Sequence, residues 1–174
     1  NCGVTVTFDT APERVVTIKS STTELLLALG LGDRIVGTAF QDGPVPAEWA
    51  DAAASIPSIS DFVPNEEAVL QLSPDLVFGG WESNFASDGV GERAELESLG
   101  VNTYVAPSAC RSIQPPKLTW DDVFGDISEV ASIFRVDASA LVADQQARVD
   151  ALLADKSGQG RTALWYSSGD DTPY

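Results

Sequence analysis

The sequence predicts an α/β fold built on a mostly parallel sheet, and three observations support that class. Short apolar runs typical of strands alternate along the chain with segments of helical periodicity. Strand, helix and strand follow one another within about 25 residues, which is the arrangement of a parallel crossover connection. The 174 residues, of which 44% are hydrophobic and 21% charged, are enough to build a hydrophobic core of domain size.

The first predicted elements are two strands and a helix. Apolar and polar side chains alternate at residues 4–8, which predicts a short edge strand. The β-branched run at residues 15–18 predicts a buried strand. Residues 20–30 predict a helix that is capped by Ser20 or Ser21 and ends at a glycine.

The same alternation continues through the next part of the chain. Strands are predicted at residues 34–38, 75–79 and 101–105, and helices at 64–72 and 92–99. Each of these strands follows a helix, so they extend the parallel sheet.

After Cys110 the pattern changes to two consecutive helices. Apolar side chains recur at helical spacing over residues 119–134, and Asp137 is a suitable cap for a second helix that runs to Asp155. That second helix is about 27 Å long at the standard helical rise. A further strand is predicted at residues 161–167. A strand that opens this close to the last residue suggests that a second α/β lobe follows it.

Composition excludes several classes of function. The net charge of −16 argues against a nucleic-acid partner and against docking on an anionic membrane through a basic patch. Histidine is absent, which removes Ser-His-Asp and Cys-His catalysis and imidazole metal sites. No run of about 18 apolar residues is present to span a membrane. Methionine is absent too, even at position 1, so we expect the chain to begin inside a longer gene product.

The two cysteines allow more than one interpretation. Cys2 and Cys110 lie 108 positions apart, and they fit a pair of free buried thiols, a metal pair or a disulfide. A metal pair is disfavoured because the chain has no histidine and no further cysteine. Cys2 is also a candidate for lipid attachment, although Asn1 is a poor residue to precede such a site.

The sequence lacks the usual signatures of an enzyme. Gly30 and Gly32 resemble part of a dinucleotide loop, but they lie between a helix and the following strand, which is the wrong order. No phosphate-binding loop is present, and Glu82 is a lone carboxylate without a catalytic partner. We therefore expect neither catalysis nor a bound cofactor or metal.

The carboxyl ends of the predicted strands carry the more informative side chains. Open parallel sheets bind ligands beyond these ends. The side chains found there are aromatic, hydrogen-bonding or charged, a mixture that suits a broad and partly polar organic ligand, although ordinary loops can carry it too. The candidate ligand-binding residues are Lys19, Ser20, Ser21, Phe40, Gln41, Asp61, Trp81, Glu82, Ser83, Asn84, Ser108 and Arg111.

Ordered motifs along the whole chain resemble those of a known family. The chain resembles the substrate-binding proteins of ABC importers, in the branch that takes ferric siderophores, cobalamin and other large ligands. Each motif is loose by itself, but their order and spacing together are specific. The motifs are NCG at 1–3, APERVV at 11–16, TELLLALGLGDRIVG at 23–37, NEEAVL at 65–70 and LSPDLV at 72–77.

This resemblance implies a fold of two α/β lobes, Rossmann-like and joined by one rigid helix. Residues 1–136 would form the N-terminal lobe, residues 137–156 the interlobe helix, and residues 157–174 the start of a second lobe whose remainder is absent. It also implies a disulfide between Cys2 and Cys110, which relatives form between equivalent positions.

The resemblance further implies partners and a location. The ABC permease is expected to dock on Glu67, with Glu66 as the neighbouring candidate; helix-dipole stabilisation is another role for the same carboxylates. The protein is expected to be extracytoplasmic and monomeric, either secreted or tethered by a lipid anchor. It is expected to bind a small-molecule ligand and no nucleic acid.

Ligand identity stays open among three classes. Residues 17–20, 43–46 and 80–84 resemble an actinobacterial subgroup proposed to import a deazaflavin coenzyme precursor. A ferric siderophore and a cobalamin-type ligand are the alternatives, and a non-transport enzyme or a structural envelope domain on the same scaffold would be a different class of function. Lys19 or Arg111 would meet a phosphate or carboxylate, and Trp81 or Phe40 would stack on a planar ring.

Overall fold

The computed structural model describes residues 1–113 and 117–163 and confirms the α/β class. Five parallel strands form a sheet in the order β3-β2-β1-β4-β5. They are β1 (Val15–Ile18), β2 (Ile35–Ala39), β3 (Ser58–Ser60), β4 (Leu76–Gly79) and β5 (Asn102–Val105).

Helices connect and cover the strands. They are α1 (Ser20–Ala28), α2 (Ala50–Ala53), α3 (Glu66–Leu70), α4 (Arg93–Ser98), α5 (Trp120–Phe134) and α6 (Ser139–Asp155). The predicted helices all form, although most begin or end one or two residues inside the predicted bounds. Among the described residues, no helix has both the length and the apolar character needed to cross a membrane.

Both faces of the sheet are buried, as the continuous apolar strands predict. Successive residues of β1 show this: Val15 packs with α1 and α5 on one face, and Val16 packs with α3 and α4 on the other. The buried hydroxyl of Thr17 is satisfied by the hydroxyl of Thr23, 2.7 Å away on α1. The result is a three-layer lobe with the sheet in the middle.

The strand order reverses direction between β1 and β4. From β1 the chain adds β2 and β3 on one side, and it then crosses over to add β4 and β5 on the other. Ile18 and Gly79, the last residues of β1 and β4, lie side by side in register. Such a reversal opens a crevice at the carboxyl ends of the two strands, which is where sheets of this type bind ligands.

The predicted edge strand at residues 4–8 is wrong. The outer edge of β5, where it would pair, is occupied by side chains: Asn1 bonds both backbone groups of Val105, and Arg93 donates to the carbonyl of Thr103. Residues 4–8 therefore have no strand structure, although their sequence alternates as a strand would.

The predicted serine cap of the first helix is also wrong. Lys19 is the N-cap of α1, and Ser20 is already its first helical residue. The Ser20 hydroxyl accepts a hydrogen bond from the amide of Asp42, 2.8 Å away, instead of capping the helix. The predicted end of α1 is confirmed, since Gly30 follows it with a φ of 74°.

Two short elements, β3 and α2, were not predicted. β3 has three residues, Ser58–Ser60, none of them buried, so no apolar run indicates it. At the other end of the chain, residues 161–163 have no strand structure, and the rest of the strand predicted at 161–167 lies outside the described residues.

The two cysteines form the disulfide that the family resemblance implies. The Cys2 and Cys110 Cα atoms are 5.1 Å apart, and both residues are buried with Val105 at the end of β5. The bond ties the first residues of the chain to the loop that follows the last strand of the sheet.

Candidate functional site

The candidate site lies at the crevice where the strand order reverses. Lys19 directly follows β1, and Gly80 and Trp81 follow β4. The Gly80 amide donates to the Ile18 carbonyl at 2.9 Å, so the two chain segments stay together for one residue beyond the strands. This contact places the Lys19 and Trp81 side chains next to each other.

Lys19 is a buried cation with an unusual backbone. Its φ of 83° and ψ of 146° lie in a region that glycine occupies far more easily than other residues. Its side chain is 7% exposed, and Nζ lies 4.2 Å from the ring centroid of Phe40 and 4.5 Å from that of Trp81. A Cβ on Gly80 would come within 2.7 Å of the Lys19 Cβ, so only glycine leaves room for this lysine.

Three aromatic side chains form what we call the aromatic wall: Phe40, Phe62 and Trp81. The rings of Phe40 and Trp81 meet edge to face with centroids 5.4 Å apart, and Phe62 lies 6.3 Å from Phe40. Trp81 is 46% exposed and Phe62 is 73% exposed, so the wall presents apolar surface to solvent. Phe62 directly follows the predicted residue Asp61, in the segment 60–62 that the sequence associates with this edge of the sheet.

The loop after β2 supplies the partner of Lys19. Nζ of Lys19 forms an ion pair and hydrogen bond with the carboxylate of Asp42, which follows the predicted residues Phe40 and Gln41 at the end of β2. Gln41 turns its amide back onto the carbonyl of Ala39 at 2.9 Å. The amide group of Gln41 is therefore hydrogen-bonded to the end of its own strand, β2.

Glu82 joins the loops that follow β4 and β5. Its Oε2 accepts from the backbone amides of Arg111 and Ser112, the second at 2.9 Å. Partial burial raises the pKa of Glu82, but these amide bonds outweigh burial and leave the pKa below its usual value. The carboxylate is thus bound to the protein itself, whereas the Arg111 side chain is exposed.

Asn84 has a positioning role in the same loop. It is fully buried, and its Oδ1 accepts from the backbone amide of Trp81 at 2.9 Å. This bond fixes the turn that carries the Trp81 ring. Its Nδ2 has no hydrogen-bond partner among the described residues.

A cleft of about 490 Å³ separates this edge of the sheet from α5. The predicted residues Ser21, Trp81, Ser108 and Arg111 line it together. Ser83 and Asp61 are exposed; neither lines the cleft, and neither side chain forms a hydrogen bond or ion pair with another of the described residues. Four of the predicted residues are therefore brought together at one cavity.

Sequence reasoning missed the carboxylate of the cleft, Asp126 on α5. Burial, together with the nearby carboxylates of Glu129 and Asp122, raises the pKa of Asp126 to about 6. Arg111 and Asp126 therefore give the cleft one cationic and one anionic side chain. Among the described residues, no group of three metal-binding side chains converges.

The two predicted docking glutamates differ in their surroundings. Asn65 caps α3 by accepting from the amide of Ala68 at 2.9 Å, so both glutamates lie in the first turn of the helix. Glu67 is exposed, whereas the Glu66 side chain lies against Gly91. Because α3 follows β3, these carboxylates lie near the same edge of the sheet as the aromatic wall.

Comparison with known proteins identifies the family. The sequence profile described as periplasmic binding protein matches residues 15–174. The chain belongs to this family, which confirms the resemblance and indicates the extracytoplasmic location expected from the sequence.

Solved structures agree with this assignment. A periplasmic binding protein from Veillonella parvula matches with a TM-score of 0.83 and 27% identity, over 95% of this chain and 55% of that one. An ABC-type Fe3+-hydroxamate transport system structure from Saccharomonospora viridis matches with a TM-score of 0.71 and 31% identity, over 90% of this chain and 56% of that one.

A curated relative matches a shorter segment. The vitamin B12-binding protein of Yersinia pestis is 43% identical over 68 residues, which are 38% of this chain and 22% of that protein. The chain spans little more than half the length of the two solved structures, and the match to the curated relative covers a smaller share still.

Proposed function

We propose that this protein is the solute-binding component of an ABC importer. It captures a large organic or metal-chelate ligand outside the cytoplasm and delivers it to the permease. The observation that carries the proposal is the exposed aromatic wall, which lies at the crevice where the strand order reverses and adjoins a cleft lined by Arg111 and Asp126.

The domain organisation follows from the same proposal. Residues 1–136 form the N-terminal lobe, the helix at 137–156 connects the two lobes, and residues 157–174 begin the second lobe. The 17 residues of α6 support the connecting role, because they form a helix long enough to separate two lobes. The ligand is then held between the cleft described here and the opposing lobe.

The aromatic wall favours a ligand with a flat conjugated part. Aromatic side chains bind such surfaces by stacking and edge-to-face contacts. A deazaflavin coenzyme precursor has that shape, and we place it first. The ferric siderophore comes second, since a relative at 31% identity is named for Fe3+-hydroxamate, and the cobalamin class follows from the vitamin B12-binding relative.

Permease docking is assigned to Glu67. An exposed carboxylate at this edge is well placed to meet arginines of a permease, where charge pairs set register and association rate. Glu67→Lys should reduce ligand-dependent stimulation of permease ATPase activity at least about tenfold, whereas Glu95→Lys on α4 should leave it unchanged. Equal activity of both variants would show that Glu67 has only a structural role.

The proposed function is tested by titrating the full-length protein. Tryptophan fluorescence is recorded while a deazaflavin precursor, a panel of ferric siderophores and cobalamin are added in turn. Saturable binding of one class at about 1 μM or tighter supports import and names the cargo. Failure of every class to bind would contradict the proposed function.

A further inference from the structure

The pairing of Lys19 with Asp42 joins two side chains with very different surroundings. The lysine side chain is 7% exposed, and the aspartate side chain is 60% exposed. The rings of Phe40 and Trp81 contact the ammonium group, and Gly80 packs against the Cβ and Cγ atoms at the base of the lysine side chain. The cation is therefore fixed by packing, while its anionic partner faces solvent.

Asp42 is held by few contacts. Its amide donates to Ser20, and its carboxylate meets Lys19, but the neighbouring Gly43 has no atom of another part of the chain near the position of a Cβ. Both Asp42 and Gly43 are exposed. A different anion that reached the lysine would displace the aspartate into water without breaking the core.

The buried ammonium group always needs an anionic partner. A desolvated charge without a counter-ion is costly, and an aromatic face compensates only a small part of that cost. One carboxylate oxygen of Asp42 supplies the partner in the structure. Any anion that replaces the Asp42 carboxylate forms the same ion pair with Lys19.

We propose that the Lys19 ammonium group is an anion subsite which Asp42 occupies as an internal competitor, and that a ligand carrying a phosphate or carboxylate beside a planar ring binds by displacing Asp42. This inference rests on the proposed function and deepens it, because it names the chemical class of the ligand group next to the aromatic wall. The planar ring contacts Trp81 and Phe62, and the anionic group takes the place of the Asp42 carboxylate.

An internal competitor lowers the apparent affinity for one kind of ligand only. The binding-competent form is the fraction of molecules in which Asp42 has left Lys19, so removing the aspartate raises apparent affinity for an anionic ligand. A neutral ligand with the same ring gains nothing from that change. The difference between two such ligands is therefore the signature of the exchange.

Riboflavin 5′-phosphate and riboflavin are matched probes, because they share a planar ring and differ by one phosphate. Their dissociation constants are measured with the full-length protein, with Asp42→Asn and with the control Asp51→Asn, an exposed aspartate of α2. Asp42→Asn should bind the phosphate probe at least about fivefold more tightly and riboflavin within about twofold of the unmodified protein. Asp51→Asn should change neither constant.

Lys19→Gly provides an independent second variant. It removes the cation and relieves the positive φ, so a folded protein is expected even if Asp42→Asn is unstable. This variant should lose any preference for the phosphate probe over riboflavin.

Three results would overturn the proposal. They are an Asp42→Asn protein whose affinities for both probes change alike, a Lys19→Gly protein that keeps the phosphate preference, and a phosphate probe that binds neither the unmodified protein nor Asp42→Asn. The last result leaves the solute-binding function intact if the siderophore or cobalamin titration succeeds, so the two failures are distinguishable.

Discussion

Lys19 has a backbone conformation that a lysine adopts only at a cost. Non-glycine residues in sparsely populated regions cost on the order of 1–3 kcal/mol each, and they cluster at functional sites. The cation–aromatic contacts and the Asp42 pair offset this cost where the side chain is needed. A residue selected only for stability at this position would be glycine.

Substitution of Lys19 separates stability from binding. Lys19→Gly should be more stable than Lys19→Ala by about 1 kcal/mol, because only glycine is free of the steric penalty at this φ. Both variants should bind the cognate ligand more weakly than the unmodified protein. Urea unfolding and ligand titration measure the two effects. Equal unfolding free energies for the glycine and alanine variants would show that the backbone is not strained.

At the scale of residues, the sequence predicts which side chains lie at the carboxyl edge of the sheet better than it predicts which groups they contact. Lys19, Phe40 and Trp81 follow strands, so their place at the carboxyl edge was predictable from hydrophobic patterning alone. Glu82 and Asn84 follow the same strand, but their oxygens bond backbone amides of the loops. No pattern in a single sequence distinguishes a side chain that faces a ligand from one that holds a turn.

At the scale of elements, the helix α5 brings several carboxylates close together, and one of them, Asp126, is partly buried. Asp122, Asp126 and Glu129 follow one another at spacings of four and three residues, so their carboxylates share one face of the helix. Glu129 also accepts a hydrogen bond from the Tyr104 hydroxyl at 2.6 Å, which keeps its charge close to the sheet. Burial of Asp126, together with the charges of Glu129 and Asp122, raises the pKa of its carboxyl group.

The ionisation of Asp126 should make stability depend on pH. Because its pKa of about 6 in the folded protein exceeds the ordinary value of 3.8, the folded protein binds more protons here and loses stability as pH rises through that interval. Asp126→Asn removes this loss and should raise the unfolding free energy at about pH 7.5 by roughly 1 kcal/mol, after allowance for solvent screening.

Urea unfolding at two pH values checks this prediction. At about pH 4 both proteins carry a neutral group at position 126, so their stabilities should converge. Asp121→Asn on the same helix is the matched control, because Asp121 is exposed. A stability difference between Asp126→Asn and the unmodified protein that is the same at both pH values would contradict the account.

At the scale of elements, long periodic segments were predictable and edge contacts were not. The helix α5 and the buried strands carry strong apolar patterns, which tertiary contacts reinforce, whereas α6 forms as predicted although Val149 is its one buried residue. Residues 4–8 alternate equally well, but Asn1 and Arg93 occupy the edge they would need. The competition depends on the contacts of Asn1 with Val105 and of Arg93 with Thr103, which the alternation of residues 4–8 does not reveal.

At the scale of the whole molecule, the disulfide links the start of the chain to the loop that follows β5. The bond between Cys2 and Cys110 encloses all five strands of the sheet, with a sequence separation of 108 residues. Cross-links over loops of this length stabilise proteins by restricting the unfolded chain. They persist in oxidising compartments, which agrees with the extracytoplasmic location.

Removal of this disulfide should lower global stability. The double variant Cys2→Ala/Cys110→Ala is expected to lose about 2–5 kcal/mol of unfolding free energy, as measured by urea denaturation. The unmodified protein in reducing buffer should show a similar loss, which separates loss of the cross-link from the effect of the alanines. Unchanged denaturation midpoints in both cases would mean that the bond contributes nothing to the fold.

The central claim is that the ligand binds against the aromatic wall at the crevice between β1 and β4. The most direct measurement is the dissociation constant of the cognate ligand for Trp81→Ala and for Trp120→Ala, determined by calorimetry on the full-length protein. Both tryptophans are about half exposed, but only Trp81 belongs to the wall. The account predicts at least about tenfold weaker binding for Trp81→Ala and less than about twofold for Trp120→Ala. Unchanged affinity in Trp81→Ala would contradict it.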